Sequence, residues 1–172
     1  FNHDNSERFG IIENNLITDL TGKIDGALSL KELIKIKKIK EAKEYTKSNP
    51  GSIKPDQIKY SPLIPNPGKI ICVGLNYSEH VKETNRTVEE NPVIFHRFPE
   101  SQTAHMQAIQ RPTVSESLDF EGEMAVVMDE GGKHIKPEDA LKHIVGFSCY
   151  NESTIREWQR HTRQFGMGKN FE

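Results

Sequence analysis

The sequence predicts a mixed, strand-rich α+β fold, and three observations point there. Short apolar runs rich in β-branched residues recur along the chain, bounded by Gly, Pro and Asn. Helix-start signals are few, the clearest being Ser29 with Glu32 three residues on. No internal repeat or low-complexity segment interrupts the 172 residues, and no apolar run reaches the ~18 residues that suggest a membrane span.

The elements follow in chain order. Phe9-Gly-Ile-Ile and Leu16-Ile-Thr-Asp-Leu are the strands of a hairpin, with Asn14-Asn15 tolerating the turn. A helix starts at the Ser29/Glu32 capping box, and Leu33, Ile34 and later apolar residues give it a face to bury. The lysines from Lys31 to Lys47 interleave with Glu32, Glu41 and Glu44, the pattern of a solvated helix rather than of a nucleic-acid-binding face. Pro50, Pro55, Pro62, Pro65 and Pro67 then remove backbone donors and fix φ, which makes an extended connector. Lys69-Ile-Ile-Cys-Val-Gly74 is a continuous apolar run suited to a strand buried on both faces, with Cys72 a buried, inert thiol. Residues 76–83 are polar and turn into a helix, and residues 92–95 form a short strand. Residues 118–128 read as one long strand, Asp139-Ala-Leu-Lys as a short helix after Pro137, and residues 144–150 as a further strand. Residues 154–163 are helix-compatible.

Charge divides the chain. Residues 1–59 hold 11 Lys+Arg against 9 Asp+Glu, and residues 60–172 hold 12 against 16, so a compositional border lies near residue 60. A net charge of −2 with an acidic second part leaves no basic excess to attract nucleic acid. Cys72 and Cys149 are too few and too far apart for a disulfide framework, which suits a reducing, cytoplasmic setting. No charged-then-apolar signal segment opens the chain, and Phe1 stands without a Met, as though the start had been removed.

The densest chemistry lies in Leu118-Asp-Phe-Glu-Gly-Glu-Met-Ala-Val-Val-Met128. On a strand, residues two apart share a face at a spacing of ~6–7 Å. Glu121 and Glu123 therefore point the same way, and Ala125 and Val127 continue that face into the core. Ionised carboxylates aimed toward a core cost on the order of several kcal/mol each unless compensated. A divalent cation compensates, and hard oxygen donors without Cys or paired His favour Mg²⁺, Mn²⁺ or Ca²⁺ over Zn²⁺. A solvated strand end would carry the same Glu-x-Glu with no ion. Glu152, after the residue 144–150 strand, is a candidate third ligand or an exposed acid at a helix start. His80 and Glu83 share a helix face, where the carboxylate could orient the imidazole as a general base; exposed helical pairs have the same spacing.

Four motifs in order resemble the fumarylacetoacetate hydrolase family across residues 8–172: Pro67-Gly-Lys-Ile-Ile-Cys-Val-Gly-Leu-Asn-Tyr-Ser-Glu-His80, Leu118-Asp-Phe-Glu-Gly-Glu-Met-Ala-Val-Val, Gly146-Phe-Ser-Cys-Tyr-Asn-Glu and Gly168-Lys-Asn-Phe. The resemblance implies a small N-terminal β domain with its linker over residues 1–60. Residues 61–172 are then the N-terminal part of the family's metal-binding mixed β-sandwich roll. It implies Mg²⁺ or Mn²⁺ held by Glu121, Glu123 and Glu152, a catalytic His80–Glu83 dyad, a catalytic Lys169, and Arg97 as the basic residue that holds a substrate carboxylate. The implied reaction is hydrolysis of a carbon–carbon bond in a 2-oxo or diketo acid through a metal-stabilised enolate. The same groups would serve an isomerase or decarboxylase of 2-hydroxy-dienoate or 2-oxo dicarboxylic acids. Ile155-Arg-Glu-Trp-Gln-Arg-His-Thr is closest to the family's 2-hydroxyhepta-2,4-diene-1,7-dioate isomerases and diketo sugar-acid hydrolases.

A small 2-oxo acid and a second copy of the chain are the implied partners, with neither nucleic acid nor membrane. Two residues depart from the family pattern: Glu152 stands where the family has Asp, and Arg97 where it usually has Lys. The chain also stops at Glu172, before the family's catalytic domain ends, as a truncated product or the ordered part of a longer chain would. Glu152 and that early stop keep a catalytically weakened, non-enzymatic homologue as a further alternative.

Overall fold

Where Asn and Gly punctuate β-branched runs, the chain turns back on itself. The computed structural model describes residues 1–83 and 90–171, apart from the side chain of His80. Two compact units emerge: residues 1–65, 103–108 and 123–150 form one, and residues 66–102, 109–122 and 151–172 the other. Strands and short helices alternate in both, so the α+β expectation holds. Among the described residues no helix is long and apolar enough to cross a membrane.

In the first unit the predicted hairpin is present. Gly10–Glu13 pairs antiparallel with Leu16–Asp19, and Asn14 and Asn15 both take positive φ, 50° and 60°, as a two-residue primed turn requires. Leu20, fully buried, joins Phe9, Ile24, Ala27, Leu33 and Ala42 in the core. The lysine-rich stretch folds as two helices, Leu30–Lys35 and Ile39–Ser48, separated where Lys37 adopts φ 58°. Ser29 Oγ accepts from the Glu32 N–H at 3.2 Å, while the Glu32 carboxylate takes the N–H of Leu28 rather than that of Ser29, so the capping box is displaced by one residue. Lys38–Glu41 and Lys47–Glu44 ion pairs lie along the second helix, a mixed-charge solvated surface. The unit also carries most of the antiparallel pair formed by Gly122–Met128 and Ile144–Asn151.

Arg8 Nη1 donates to Asp19 Oδ2 at 2.7 Å, and the Thr21 N–H donates to Oδ1 at 2.8 Å. Burial alone would raise this carboxyl, but these donors and the Arg8 charge outweigh it and hold Asp19 below its ordinary value of 3.8. The stabilisation is complete above that ordinary value and fades as pH falls through the lower folded one. Asp19→Asn is therefore expected to cost about 1 kcal/mol at neutral pH. The difference should close below pH 3.8, which urea unfolding across a pH series measures.

In the second unit Ile70–Gly74 pairs antiparallel with Val93–Arg97, in the register Cys72↔Phe95. The expectation of a strand buried on both faces is corrected here. Ile71, Val73 and Ile94 are 55%, 42% and 48% exposed, because this two-stranded sheet is covered on one face only. Cys72 is accordingly half-buried, and no disulfide joins it to Cys149. The predicted helix at 76–83 is present as Ser78–Glu83.

Residues 118–128 do not form one strand. Leu118–Asp119 pairs with Thr154–Ile155, whereas Gly122–Met128 pairs with Ile144–Asn151. The partner changes at a corner: the Glu121 N–H donates to Asn151 Oδ1 at 3.1 Å, and the Glu152 N–H donates to the Glu121 carbonyl at 2.8 Å. Alternation of burial nonetheless runs on through Glu121, Glu123, Ala125 and Val127. Pairing with Leu118–Asp119 also draws β-branched Thr154 and Ile155 into a strand, so the helix expected over 154–163 is only Arg156–Gln159.

Candidate metal centre

The strand change at Glu121 puts two backbone segments side by side and so faces the Glu121 and Glu152 side chains toward each other. Glu152 is buried, 5% exposed, in contrast to the exposed helix-start alternative. Glu123 lies two residues beyond Glu121 along the same chain direction, so local geometry sets its place. One oxygen from each of Glu121, Glu123 and Glu152 falls within 4.8 Å of the others.

Cations close the cluster from the protein side. Lys169 ends the short Gly166–Lys169 helix and is 2% exposed. Its Nζ donates to Glu121 Oε1 at 2.8 Å, makes an ion pair with Glu152 Oε2 at 3.2 Å, and stands 5.1 Å from the centre of the Phe95 ring. Arg97, at the end of the Val93–Arg97 strand, is equally sequestered. Its Nη1 donates to the Ser153 carbonyl at 3.0 Å and lies 3.6 Å from Glu152 Oε1. That separation gives charge attraction but no hydrogen bond, so Glu152 Oε1 and Arg97 Nε are both buried without a hydrogen-bond partner.

Arg156 Nε binds Asp119 Oδ2 at 2.8 Å, and its Nη1 reaches Glu121 Oε1 at 3.1 Å. The Thr154 hydroxyl donates to the same Glu121 oxygen. Asn170 pins the helix carrying Lys169 to the strand carrying Arg97: its Oδ1 accepts from the Phe98 N–H at 2.8 Å and its Nδ2 donates to the His96 carbonyl at 3.2 Å.

The electrostatics separate the two buried carboxylates. Burial raises Glu152, and the nearby Lys169 charge does not fully offset it; the carboxyl stays above its ordinary value. Burial also opposes ionisation of Glu121, but the hydrogen bonds from Lys169 and Thr154, with the charges of Lys169 and Arg156, hold it below its ordinary value. The donor set fits a hard divalent ion. It is all carboxylate oxygen, and the buried Glu152 Oε1 lacks the partner that such an ion would provide.

Among the residues singled out from sequence, the structure brings together Glu121, Glu123, Glu152, Lys169 and Arg97. Glu83 is exposed on the Ser78–Glu83 helix, and the side chain of its partner His80 lies outside the described residues. Thr154, Arg156 and Asp119 were not anticipated. A signal for two of them was available: Glu152, Thr154 and Arg156 are two apart, which on an extended segment places them on one face.

Known proteins resemble this chain in sequence and in fold. The chain is 39% identical over 117 residues to the oxaloacetate tautomerase Fahd2a, mitochondrial, of Rattus norvegicus, covering 67% of this chain and 37% of that one. It is 36% identical over 136 residues to the oxaloacetate tautomerase fahd2, mitochondrial, of Xenopus laevis, covering 78% of this chain and 43% of that one. The chain thus spans less than half the length of these curated relatives. A fumarylacetoacetate hydrolase from psychrophilic Exiguobacterium antarcticum superimposes with a TM-score of 0.83 at 29% identity, over 100% of this chain and 61% of that one. Its fold class is therefore that of a solved member. A family model described as the fumarylacetoacetate hydrolase C-terminal domain matches residues 69–172. Since that match takes in well over half of the sequence, the chain belongs to the fumarylacetoacetate hydrolase family.

Proposed function

We propose that this chain forms the metal-binding part of an enzyme that moves a 2-oxo acid through its enol. Keto–enol tautomerisation of a 2-oxo dicarboxylate is the first reading, because the curated relatives are named oxaloacetate tautomerases. Hydrolysis of a carbon–carbon bond in a diketo acid, the expectation from sequence, is the second, favoured by the likeness to the Exiguobacterium hydrolase. One observation supports both: three carboxylates converge beside a buried lysine.

Glu121, Glu123 and Glu152 would hold Mg²⁺ or Mn²⁺, which when bound supplies a Lewis acid that eases negative charge on the oxygens of a 2-oxo acid. Lys169 keeps two N–H groups on Glu121 and Glu152 and has a third to donate to a substrate oxygen as charge develops there. Arg97 adds a fixed positive charge, and its unpartnered Nε is the donor left for a substrate carboxylate. A ring nitrogen of His80, which Glu83 would orient, would take the proton from the carbon beside the carbonyl and deliver it to the resulting enolate oxygen, giving the enol, with the reverse transfer restoring the keto form. In hydrolysis the same nitrogen would deprotonate the attacking water. The reading takes the protein to be a homodimer, checked by light scattering. Its compartment is a reducing one, cytoplasmic or, as the relatives are named, mitochondrial.

The test follows oxaloacetate enol and a diketo acid by ultraviolet absorbance with the full protein. Turnover is expected to vanish in chelator and return with Mg²⁺ or Mn²⁺; turnover indifferent to chelator sinks the reading. Glu152→Asp shortens a buried donor by one methylene, and a displacement of ~1 Å can cost ~10²-fold in rate. A drop of that order identifies Glu152 as a working ligand. A rise from no turnover to measurable turnover identifies the native chain as a catalytically weakened homologue.

A further inference from the structure

We infer that Thr154 is a positioning residue for the metal centre: through its hydroxyl it fixes which oxygen of Glu121 is turned toward the ion. The inference rests on reading Glu121, Glu123 and Glu152 as ion ligands. Thr154 is 1% exposed, and its Oγ1 donates to Glu121 Oε1. The same oxygen takes Lys169 Nζ at 2.8 Å and Arg156 Nη1 at 3.1 Å. Two hydrogen bonds, from Thr154 and Lys169, and the Arg156 ion pair converge on Oε1, and Oε2 takes none of these contacts, so Oε2 is the oxygen available to coordinate.

The three groups are not equivalent. The Thr154 hydroxyl has a second acceptor only within its own segment, the Glu152 carbonyl at 3.1 Å, whereas Lys169 is shared with the Glu152 carboxylate and Arg156 with that of Asp119. Both also carry positive charge, which opposes a nearby divalent ion. Thr154 is neutral and short. Its backbone is held in register opposite Asp119, and β-branching limits its χ1. It can therefore set the rotation of the Glu121 carboxylate without weakening the site's attraction for a cation, as partners behind a metal ligand do.

The experiment titrates Mn²⁺ alone into the full protein by calorimetry, with thermal unfolding of the ion-free form run beside it. Thr154→Val removes the hydroxyl at nearly constant volume, and Thr154→Ser restores it. Thr154→Val is expected to bind Mn²⁺ ~10–100-fold more weakly, with Thr154→Ser recovering most of that loss. A Thr154→Val protein that binds Mn²⁺ like wild type, or a Thr154→Ser protein as weak as Thr154→Val, overturns the inference and leaves Thr154 a packing role only. Should Thr154→Val not fold, Thr154→Ala against Thr154→Ser gives the same comparison. Wild-type protein that takes up no Mn²⁺ overturns the ion-site reading and this inference together, whereas intact binding in Thr154→Val overturns this inference alone.

Discussion

Lys169→Met is expected to destabilise the protein by about 3–5 kcal/mol and to abolish turnover. The lysine is 2% exposed, and its ammonium group lies between the carboxylates of Glu121 and Glu152. Methionine keeps much of the side chain's volume but neither the charge nor the ammonium group's contact with the Phe95 ring. The two carboxylates then face each other in a water-poor site with only the arginines to offset them. Removing one partner of a buried ion pair costs more than the pair contributes, because the remaining charge stays desolvated. Against a total stability of roughly 5–15 kcal/mol the loss is large. A divalent ion should recover part of it, since an ion that binds only the folded state stabilises by mass action. Mg²⁺ should therefore raise the unfolding midpoint further in Lys169→Met than in wild type. Equal stability of the two proteins would show that Lys169 does not supply the compensating charge.

Gly168→Ala should be nearly as damaging, through sterics alone. A Cβ at this position would lie 2.4 Å from the Gln159 nitrogen, 2.5 Å from the Ile155 carbonyl oxygen and 2.7 Å from the Gln159 Cα. Attractive contact between non-bonded carbons begins near ~3.5 Å, and all three obstacles are backbone, so a side-chain rotation cannot clear them. The Gly166–Lys169 helix must move away from the Arg156–Gln159 helix, and Lys169 moves with it. Overpacking of this kind costs about 1–3 kcal/mol, and a ~1 Å displacement of Lys169 can lower turnover by ~10². Gly166→Ala in the same helix is the control: the nearest atom to its Cβ is the Asn170 amide nitrogen at 3.8 Å. Thermal unfolding and turnover should change strongly in Gly168→Ala and little in Gly166→Ala. Equal tolerance of the two would mean the helices can part without cost.

Local pattern was enough for the elements whose geometry is local. The Asn14-Asn15 turn needs only two residues able to hold positive φ, and both do. The Ser29 cap needs only a side-chain oxygen within reach of an N–H three residues on. The period-two alternation that placed Glu121 and Glu123 on one face survives the break in the strand, because burial alternates whichever partner the backbone pairs with. The break itself was not legible. Residues 118–128 are uniformly strand-compatible, and what divides them is that Thr154–Ile155 pairs with the first part and Ile144–Asn151 with the second. Exposure of Ile71 and Val73 was hidden for the same reason, since an apolar run does not disclose how many of its faces will be covered.

By itself the sequence determined the family, the α+β class and the identity of three acids able to meet at one point. The class and the Glu121–Glu123 pair follow from residue type and spacing, and the family and the third acid, Glu152, from the resemblance carried by the four motifs, all of which travel with the chain in any conformation. Only the tertiary structure decided that Lys169 lies between Glu121 and Glu152, that Arg97 stands behind Glu152, and that Thr154 and Arg156 hold one oxygen of Glu121. These groups come from distant segments, and their separations depend on how strands and short helices pack rather than on any period along the chain. Charge compensation in a buried site is set by those separations, and so its partners appear only once the chain is folded.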